Sequence, residues 1–467
     1  MSTQSDARRR VLVVAYDFPP HAAIGTMRTL RVVRQLHARG WDVTVLTGDP
    51  SSYLPSTPVD TALIDMVPAG VRVLRAGAVR PWEHLQRALR PRSTRTRGPY
   101  QIGPGATPPR SAHVATLARV KDMVDAVLSI PDRESGWLAP AFSRGVICHL
   151  RATRPHVIYS SAPPWTGQLV AAGLKFALGR PWVADFRDPW ARAPWRGDRY
   201  RFAVRAAAAL ERQVIRCADR VVFVAAANRD NFAERYGAAA ASKFEVVPNG
   251  CDPAEFEALR NTIQTDDGTL VLLHAGSLYA GRTPLPLLKA IAIAIARGGI
   301  DPRRFRLRFL GANALQGLDL PGTCRELGLQ DIVEFLPRVP RERSLRAMMS
   351  ASALLLLQPG HTVSVPGKLY EYLAAGRPIL AIAEEGETAQ IVRTSGAGVS
   401  VTPDDEGVIA DALIDVLQRA RARFELPREL FDGNVGAARI ADVLDDVVRQ
   451  SAAFAGREDG SVLRGTL

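Results

Sequence analysis

The stretch Val365-Pro366-Gly367-Lys368-Leu369-Tyr370-Glu371-Tyr372-Leu373-Ala374-Ala375-Gly376-Arg377-Pro378-Ile379-Leu380 decides the reading of this chain. A cation and a carboxylate stand three residues apart at the start of a helical pattern. Gly376 ends that helix, Pro378 bars its continuation, and the apolar strand Ile379 to Ala383 comes next. Residues three apart share one helix face, so Lys368 and Glu371 can reach one ligand. A lysine holds a phosphate as a point charge. A carboxylate accepts hydrogen bonds from both hydroxyls of a ribose. The pair suits a nucleotide diphosphate, and the same spacing also makes an ordinary solvated salt bridge.

Working outward, strand, loop and helix alternate along the chain. Val11 to Ala15 reads as a buried strand, Tyr16 to Gly25 as a loop, about Thr26 to Arg39 as a helix and Asp42 to Leu46 as a second strand. This is a βαβ unit of a parallel sheet, whose carboxyl edge carries the first loop. Further strands are expected at Val157 to Ser160, Pro181 to Phe186, Arg220 to Val224 and Phe244 to Val247. The turn Asp266-Asp267-Gly268 breaks the pattern. It restarts with the strand Leu270 to Ala275 and the loop Gly276-Ser277-Leu278-Tyr279-Ala280-Gly281-Arg282, and ends with a helix from about Asn434. Small residues between strand and helix let backbone approach a phosphate, and Arg282 adds a forked, permanent cation. Gly-rich strand-to-helix turns are also common without any ligand. The segment Pro81 to Ala112 holds six arginines among Pro, Gly, Ser and Thr and reads as a mobile basic loop. Val114 to Ile130 has helical period and reads as an amphipathic helix that caps the core or touches anionic lipid.

The segment around Lys368 and Glu371 resembles the donor-site helix of family 4 glycosyltransferases. Those enzymes have the α/β GT-B fold: two Rossmann-like parallel-sheet domains facing across a cleft. Val247-Pro248-Asn249-Gly250-Cys251-Asp252 is similar to the family's Pro-Asn-Gly-x-Asp signature, a turn that shapes the hinge, with Asp252 suited to cap the residues after it. The resemblance implies a 1–262 N-terminal acceptor domain, with a basic insertion at 82–112, and a 263–432 C-terminal nucleotide-sugar donor domain. A C-terminal helix at 433–455 and a tail at 456–467 complete the expected organisation. It implies that Glu371 binds the donor ribose, that Arg282 and Lys368 hold the pyrophosphate, and that Gly25, Gly276, Ser277 and Leu369 line the donor. The reaction implied is transfer of a sugar, with retention, from a nucleoside-diphosphate sugar to a glycan, lipid-linked or small-molecule acceptor. Surface polysaccharide or glycolipid synthesis is the expected setting.

Two positions depart from the family pattern. Val363 stands where the first of two glutamates is usual, with His361 and Ser364 nearby. Where the family often has a histidine, this chain reads Asp185-Phe186-Arg187-Asp188-Pro189-Trp190. Asp188 is the candidate there for orienting the acceptor or stabilising charge, and it would serve equally as a helix cap or as a partner of Arg187. Two other readings use the same architecture: a non-catalytic protein that binds nucleotide or glycan, and a UDP-sugar 2-epimerase.

Composition narrows the classes. The 467 residues carry 60 basic and 47 acidic side chains, a net charge of +13. Such a surface favours polyanions. No helix-turn-helix, RRM or zinc-finger pattern is present, so an anionic membrane surface is the expected partner rather than nucleic acid. The four cysteines are scattered and the eight histidines form no metal-binding spacing, so neither metal nor cofactor is expected. Met1 to Arg10 is polar and basic, with no cleavable signal pattern, which points to a cytoplasmic protein peripheral at the inner membrane face.

Overall fold

The computed structural model describes residues 8–54, 57–79, 123–124, 126–151, 154–193, 200–263, 268–278, 282–311, 318–420 and 423–462. The expected basic insertion at 82–112 and most of the expected helix at 114–130 lie outside them. Two compact units divide the chain. Unit 1 holds the described residues up to Pro248 and again from Asn434, and unit 2 is Asn249–Gly433.

Unit 1 is a parallel sheet. Its described strands are β1 (Arg10–Val14), β2 (Asp42–Gly48), β3 (Arg72–Ala76), β4 (Val157–Ala162), β5 (Trp182–Phe186), β6 (Arg220–Phe223) and β7 (Phe244–Val246), in the order β3-β2-β1-β4-β5-β6-β7. Its helices are α1 (Ile24–Ala38), α2 (Leu138–Arg151), α3 (Thr166–Leu178), α4 (Arg201–Cys217) and α5 (Ala226–Tyr236). Successive strand residues face opposite sides. Val11, Val13 and Ala15 therefore enter one core, with Leu30, Val33 and Leu36 of α1. Leu12, Val14 and Tyr16 enter the other, with Val170 and Leu174 of α3. Residues buried on both faces read as continuous apolar runs, which is why these strands are legible in the sequence.

Unit 2 repeats the plan. Its described strands are β8 (Leu270–Ala275), β9 (Phe305–Leu310), β10 (Val333–Leu336), β11 (Ala353–Gln358), β12 (Ile379–Ala383) and β13 (Gly398–Val401), parallel in the order β10-β9-β8-β11-β12-β13. Its helices are α6 (Pro253–Glu257), α7 (Leu285–Ala296), α8 (Arg341–Ser350), α9 (Gly367–Ala375), α10 (Glu387–Thr394) and α11 (Glu406–Gln418). Leu272, Leu355, Leu357, Leu380 and Ile382 pack against Leu287 and Ile291 of α7 and against Ile409, Leu413 and Val416 of α11. Two short helices, Ala238–Ala241 and Leu320–Glu326, and the long α12 (Gly433–Val462) complete the described set.

The units part at 248/249, not at 262. The Cys251 N–H donates to the Phe431 carbonyl at 2.8 Å, and the Gly433 N–H donates to the Cys251 carbonyl at 2.7 Å. Gly250 has to be glycine, because a Cβ there would lie 2.4 Å from the Gly433 nitrogen. Asp252 caps α6 by accepting from the Ala254 N–H at 3.2 Å. The Asn249-to-Asp252 turn is thereby tied into unit 2. The helix expected to stand apart at 433–455 belongs to unit 1. Ala437, Ile440, Ala441, Leu444 and Val447 of α12 share the core of α1, and Arg39 Nη1 bonds Asp442 Oδ1 at 2.6 Å. Their helical spacing exposes one apolar stripe, and the hydrophobic effect buries it. Among the described residues no helix is long and apolar enough to cross a membrane.

Candidate active site

Open parallel sheets bind ligands beyond the carboxyl ends of the strands, where the strand order reverses. In unit 2 that point lies between β8 and β11, since β8 neighbours both β9 and β11. The Gly276 loop leaves β8 there, and Gln358 ends β11. Arg282 Nη2 donates to Gln358 Oε1 at 2.7 Å, so the guanidinium is anchored at the switch point. Gln358 is buried.

Helix α9 follows β11 and brings Lys368 and Glu371 to the same edge. Pro366 is its N-cap and offers no side-chain cap to the positive dipole end. Gly376, at φ 65°, closes it in the left-handed conformation that only glycine adopts freely. Lys368 Nζ donates to Glu371 Oε2 at 2.7 Å. Arg341, at the start of α8, donates from Nη1 to Glu371 Oε1 at 2.9 Å. Arg341 also binds Glu255 of α6 through Nε at 2.6 Å and Nη2 at 2.7 Å. Burial pushes the Glu371 pKa up, but the charges and hydrogen bonds of Lys368 and Arg341 outweigh it and leave the pKa below the usual carboxylate range. The same carboxylates hold the Arg341 guanidinium charged against its own burial.

The floor of this edge is a second set of bonds. Tyr372 Oη accepts from the Ala275 N–H at 2.9 Å and donates to the Leu355 carbonyl at 3.2 Å. It thus stitches α9 to β8 and β11, one residue before the Gly276 loop. The Leu355 carbonyl also faces His274 Nδ1 at 3.0 Å. A carbonyl only accepts, so Nδ1 carries the proton and Nε2 is bare. Among the described residues the buried Nε2 has no hydrogen-bond partner, and a Cβ on Gly276 would sit 3.3 Å from it. Burial lowers the His274 pKa to about 4, with Arg282 and Lys368 adding repulsion while the Leu355 carbonyl opposes. His274 is therefore a neutral ring that feels both cations.

Of the other expected donor-site residues, Gly276 and Ser277 are half-buried at the loop start, and Leu369 is fully buried within unit 2. Tyr279 to Gly281 lie outside the described residues. His361, near the position of the missing glutamate, is close enough to Arg282 and Glu384 to feel both charges, and burial lowers its pKa. Sequence reasoning missed Arg341, Glu255, Gln358 and His274. The partners Arg341 and Glu255 stand 86 residues apart, so no local pattern announces them. His274 alone carried a signal, a histidine inside an apolar strand.

Unit 1 has its own switch point, between β1 and β4. Asp17 follows β1 and Arg187 follows β5. Arg187 Nη2 pairs with Asp17 Oδ2 at 3.2 Å and also bonds the Pro163 carbonyl. The space beside Gly25, at the start of α1, holds the Arg187 guanidinium: a Cβ on Gly25 would fall 1.2 Å from Nη1. The glycine therefore admits a cation to the helix N-terminus. Asp188 is half-buried, and among the described residues no hydrogen bond to its carboxylate is present. Burial raises its pKa, opposed by Arg187. Asp185 is a structural residue: it receives Arg28 Nε and Nη2 at 2.9 Å each, Tyr159 Oη at 2.9 Å and Ser161 Oγ at 3.0 Å. Among the described residues no group of three or more His, Cys, Asp or Glu is placed to hold a metal ion.

Two successive doubly wound parallel sheets, the second carrying cations and a carboxylate at its switch point, define the GT-B class. Sucrose-phosphate synthase from Thermosynechococcus elongatus shares the fold at a TM-score of 0.57 and 14% identity, over 97% of this chain and 100% of that one. Anabaena HepE in complex with UDP-glucose does so at 0.54 and 16%, over 94% and 99%. At such identities the likeness speaks for the fold alone. Residues 102–255 match the family model for Glycosyltransferase Family 4, and residues 269–419 match that for Glycosyl transferases group 1. The D-inositol 3-phosphate glycosyltransferase of Gordonia bronchialis is 28% identical over 227 residues, 47% of this chain and 49% of the relative. That of Kineococcus radiotolerans is 30% identical over 199 residues, 40% and 45%. The chain spans about half the length of the curated relatives it matches. It belongs to the family 4 glycosyltransferases.

Proposed function

We propose that the chain transfers a sugar from a nucleoside-diphosphate sugar, held by unit 2, to an acceptor held by unit 1. The observation that carries this is the gathering of Arg282, Lys368 and Glu371 at one sheet edge, around the neutral His274. The two cations and the positive dipole end of α9 suit a diphosphate. Glu371, kept ionised, suits the ribose hydroxyls. Lys368 occupies Glu371 Oε2. A diphosphate competes for Lys368, which releases Oε2 to a hydroxyl while Arg341 keeps Oε1 in place.

Catalysis on this reading is positioning and electrostatics. As the glycosidic bond breaks, negative charge grows on the diphosphate, and Arg282 and Lys368 stabilise it. Asp188 is proposed to orient the acceptor, with Arg187 and the start of α1 offering a cationic wall. HepE's complex with UDP-glucose supports a uridine nucleotide as the first donor to try. The inositol-phosphate relatives support a small polar acceptor, for which the Arg187 guanidinium is a suitable anion partner. Retention of stereochemistry follows the family resemblance. The neutral His274 and His361 give the transferred sugar polar neighbours where Val363 replaces the usual glutamate.

The test is thermal shift against UDP, GDP, ADP and dTDP, repeated with Glu371→Ala, then turnover of the matching labelled nucleotide sugar. At about 100-fold over Kd a ligand adds about 2.7 kcal/mol to native stability. One nucleotide should stabilise the wild type and not the variant. A chain that binds none of the four at millimolar concentration, or binds one equally without Glu371, overturns the reading.

A further inference from the structure

Helix α4 carries arginines at 201, 205, 212 and 216, and all four are exposed. At 100° per residue they fall within an arc of about 60° and run about 22 Å along the helix. The stripe lies opposite Ala203, Ala207, Glu211 and Val214 of the buried face, whose edge Ile215 extends. Glu211 is the helix's sole acid, and it is turned inward. It receives Arg235 Nη1 at 2.7 Å, Tyr236 Oη at 2.6 Å and the Ala191 N–H at 2.8 Å. The stripe therefore has no carboxylate of its own helix, and among the described residues none of its arginines forms an ion pair.

Several exposed arginines elsewhere stand beside an acid, as Arg297 does with Asp411, Arg419 with Asp415, Arg346 with Glu342, Arg39 with Asp442 and Arg393 with Glu385. What sets α4 apart is that four arginines share one face of one helix with no acid among them. On α4 the like charges stand four apart twice, at 201/205 and 212/216, a spacing that weakens a helix. Beside the stripe, Phe202 and Val204 are each 38% exposed, and the Phe202 ring stacks on Tyr200 at 5.5 Å. A row of guanidinium groups flanked by exposed apolar side chains on one helix face matches the boundary between anionic headgroups and acyl chains.

We infer that α4 docks this protein on an anionic lipid surface through Arg201, Arg205, Arg212 and Arg216, with Phe202 and Val204 entering the headgroup layer. The inference stands independently of the proposed sugar transfer, since it concerns a surface and not the donor site. Each basic residue at an anionic leaflet contributes about a five-fold gain in partitioning, so the stripe contributes roughly several hundred-fold.

The test is co-sedimentation of the full chain with phosphatidylglycerol/phosphatidylcholine vesicles, at several salt concentrations. The wild type should bind, and rising salt should release it. Replacing all four arginines by Gln should lower partitioning by roughly several hundred-fold, and replacing them by Lys should retain it. A control changes the same number of exposed charges in unit 2 (Arg303, Arg304, Arg325 and Arg343, each to Gln) and should bind as the wild type does. Circular dichroism melting verifies that each variant is folded. Equal loss in the control makes the effect one of net charge and overturns the inference. So does unchanged binding of the Gln variant, or a wild type that ignores these vesicles and holds duplex DNA instead.

Discussion

Replacing Arg341 by Met tests how Glu371 is held. The side chain keeps its length and loses its charge and all donors. Three charge-assisted hydrogen bonds go with it, at 2.6 and 2.7 Å to Glu255 and 2.9 Å to Glu371. Such bonds are worth about 1.5–3 kcal/mol each when protected. Here the side chains of Arg341, Glu255 and Glu371 remain 31%, 22% and 14% exposed, so water screens them and replaces part of what is lost. A stability loss of about 2 kcal/mol is expected, most of it from the Glu255 fork. The larger consequence is positional. Glu371 keeps Lys368 as its partner, and when a diphosphate draws Lys368 away, nothing fixes the carboxylate. Nucleotide affinity should fall about tenfold, or about 1.4 kcal/mol. Isothermal titration with the nucleoside diphosphate that stabilises the wild type measures this without an acceptor. Glu255→Gln provides the comparison, because it loosens the anchor and leaves the Arg341–Glu371 bond. It should cost less affinity than Arg341→Met. If Arg341→Met is destabilised yet binds nucleotide as tightly as the wild type, Arg341 only supports the fold and the positioning argument is wrong.

Three further outcomes follow from the same geometry. His274 has a folded pKa of about 4 against about 6.5 when unfolded, so the unfolded chain takes up the proton first. Native stability should fall by roughly 3 kcal/mol as pH drops from 6.5 to 4, and His274→Gln should flatten that part of the denaturation profile. Tyr372→Phe removes the hydroxyl that serves Ala275 and Leu355, leaving a buried N–H unpaired. Its chemical-denaturation midpoint should show a loss of about 1–3 kcal/mol, and a smaller change would mean that water fills the gap. Gly25→Ala drives a methyl into the Arg187 guanidinium, which can swing aside. Stability should drop by about 1–3 kcal/mol, while acceptor KM rises, and an unchanged KM would remove Arg187 from the acceptor side.

Much of the fold can be read from local patterns because its strands are buried on both faces. The runs at Val11, Leu270, Ala353 and Ile379 announce themselves as apolar blocks between turn residues. Strand β3 (Arg72–Ala76) escapes such a reading, since Arg72 and Arg75 break the run and it lies at the sheet edge. Helices α2 and α5 escape it too. α2 has an apolar period, but Pro140 and Gly145 read as helix breakers within it, and α5 has little apolar period to read. The charges of α9 are legible because Lys368 and Glu371 share one helix. Their controllers are not, because Arg341 and Glu255 reach them from other helices and only tertiary packing brings them together. The period of α12 reveals an apolar stripe and is silent on which unit buries it.

The return of α12 to unit 1 makes unit 2 an insertion in an otherwise single folding body. During synthesis the order of completion is then inverted. Asn249–Gly433 is contiguous and can close its core as soon as it emerges, whereas the unit 1 core that Ala437 to Val447 share stays incomplete until they have been made. For that interval, at about 5–20 residues per second, the unfinished core offers a sticky surface to chaperones or to another nascent chain. Yield in the cell should accordingly respond to chaperone supply and to slowed translation late in the message.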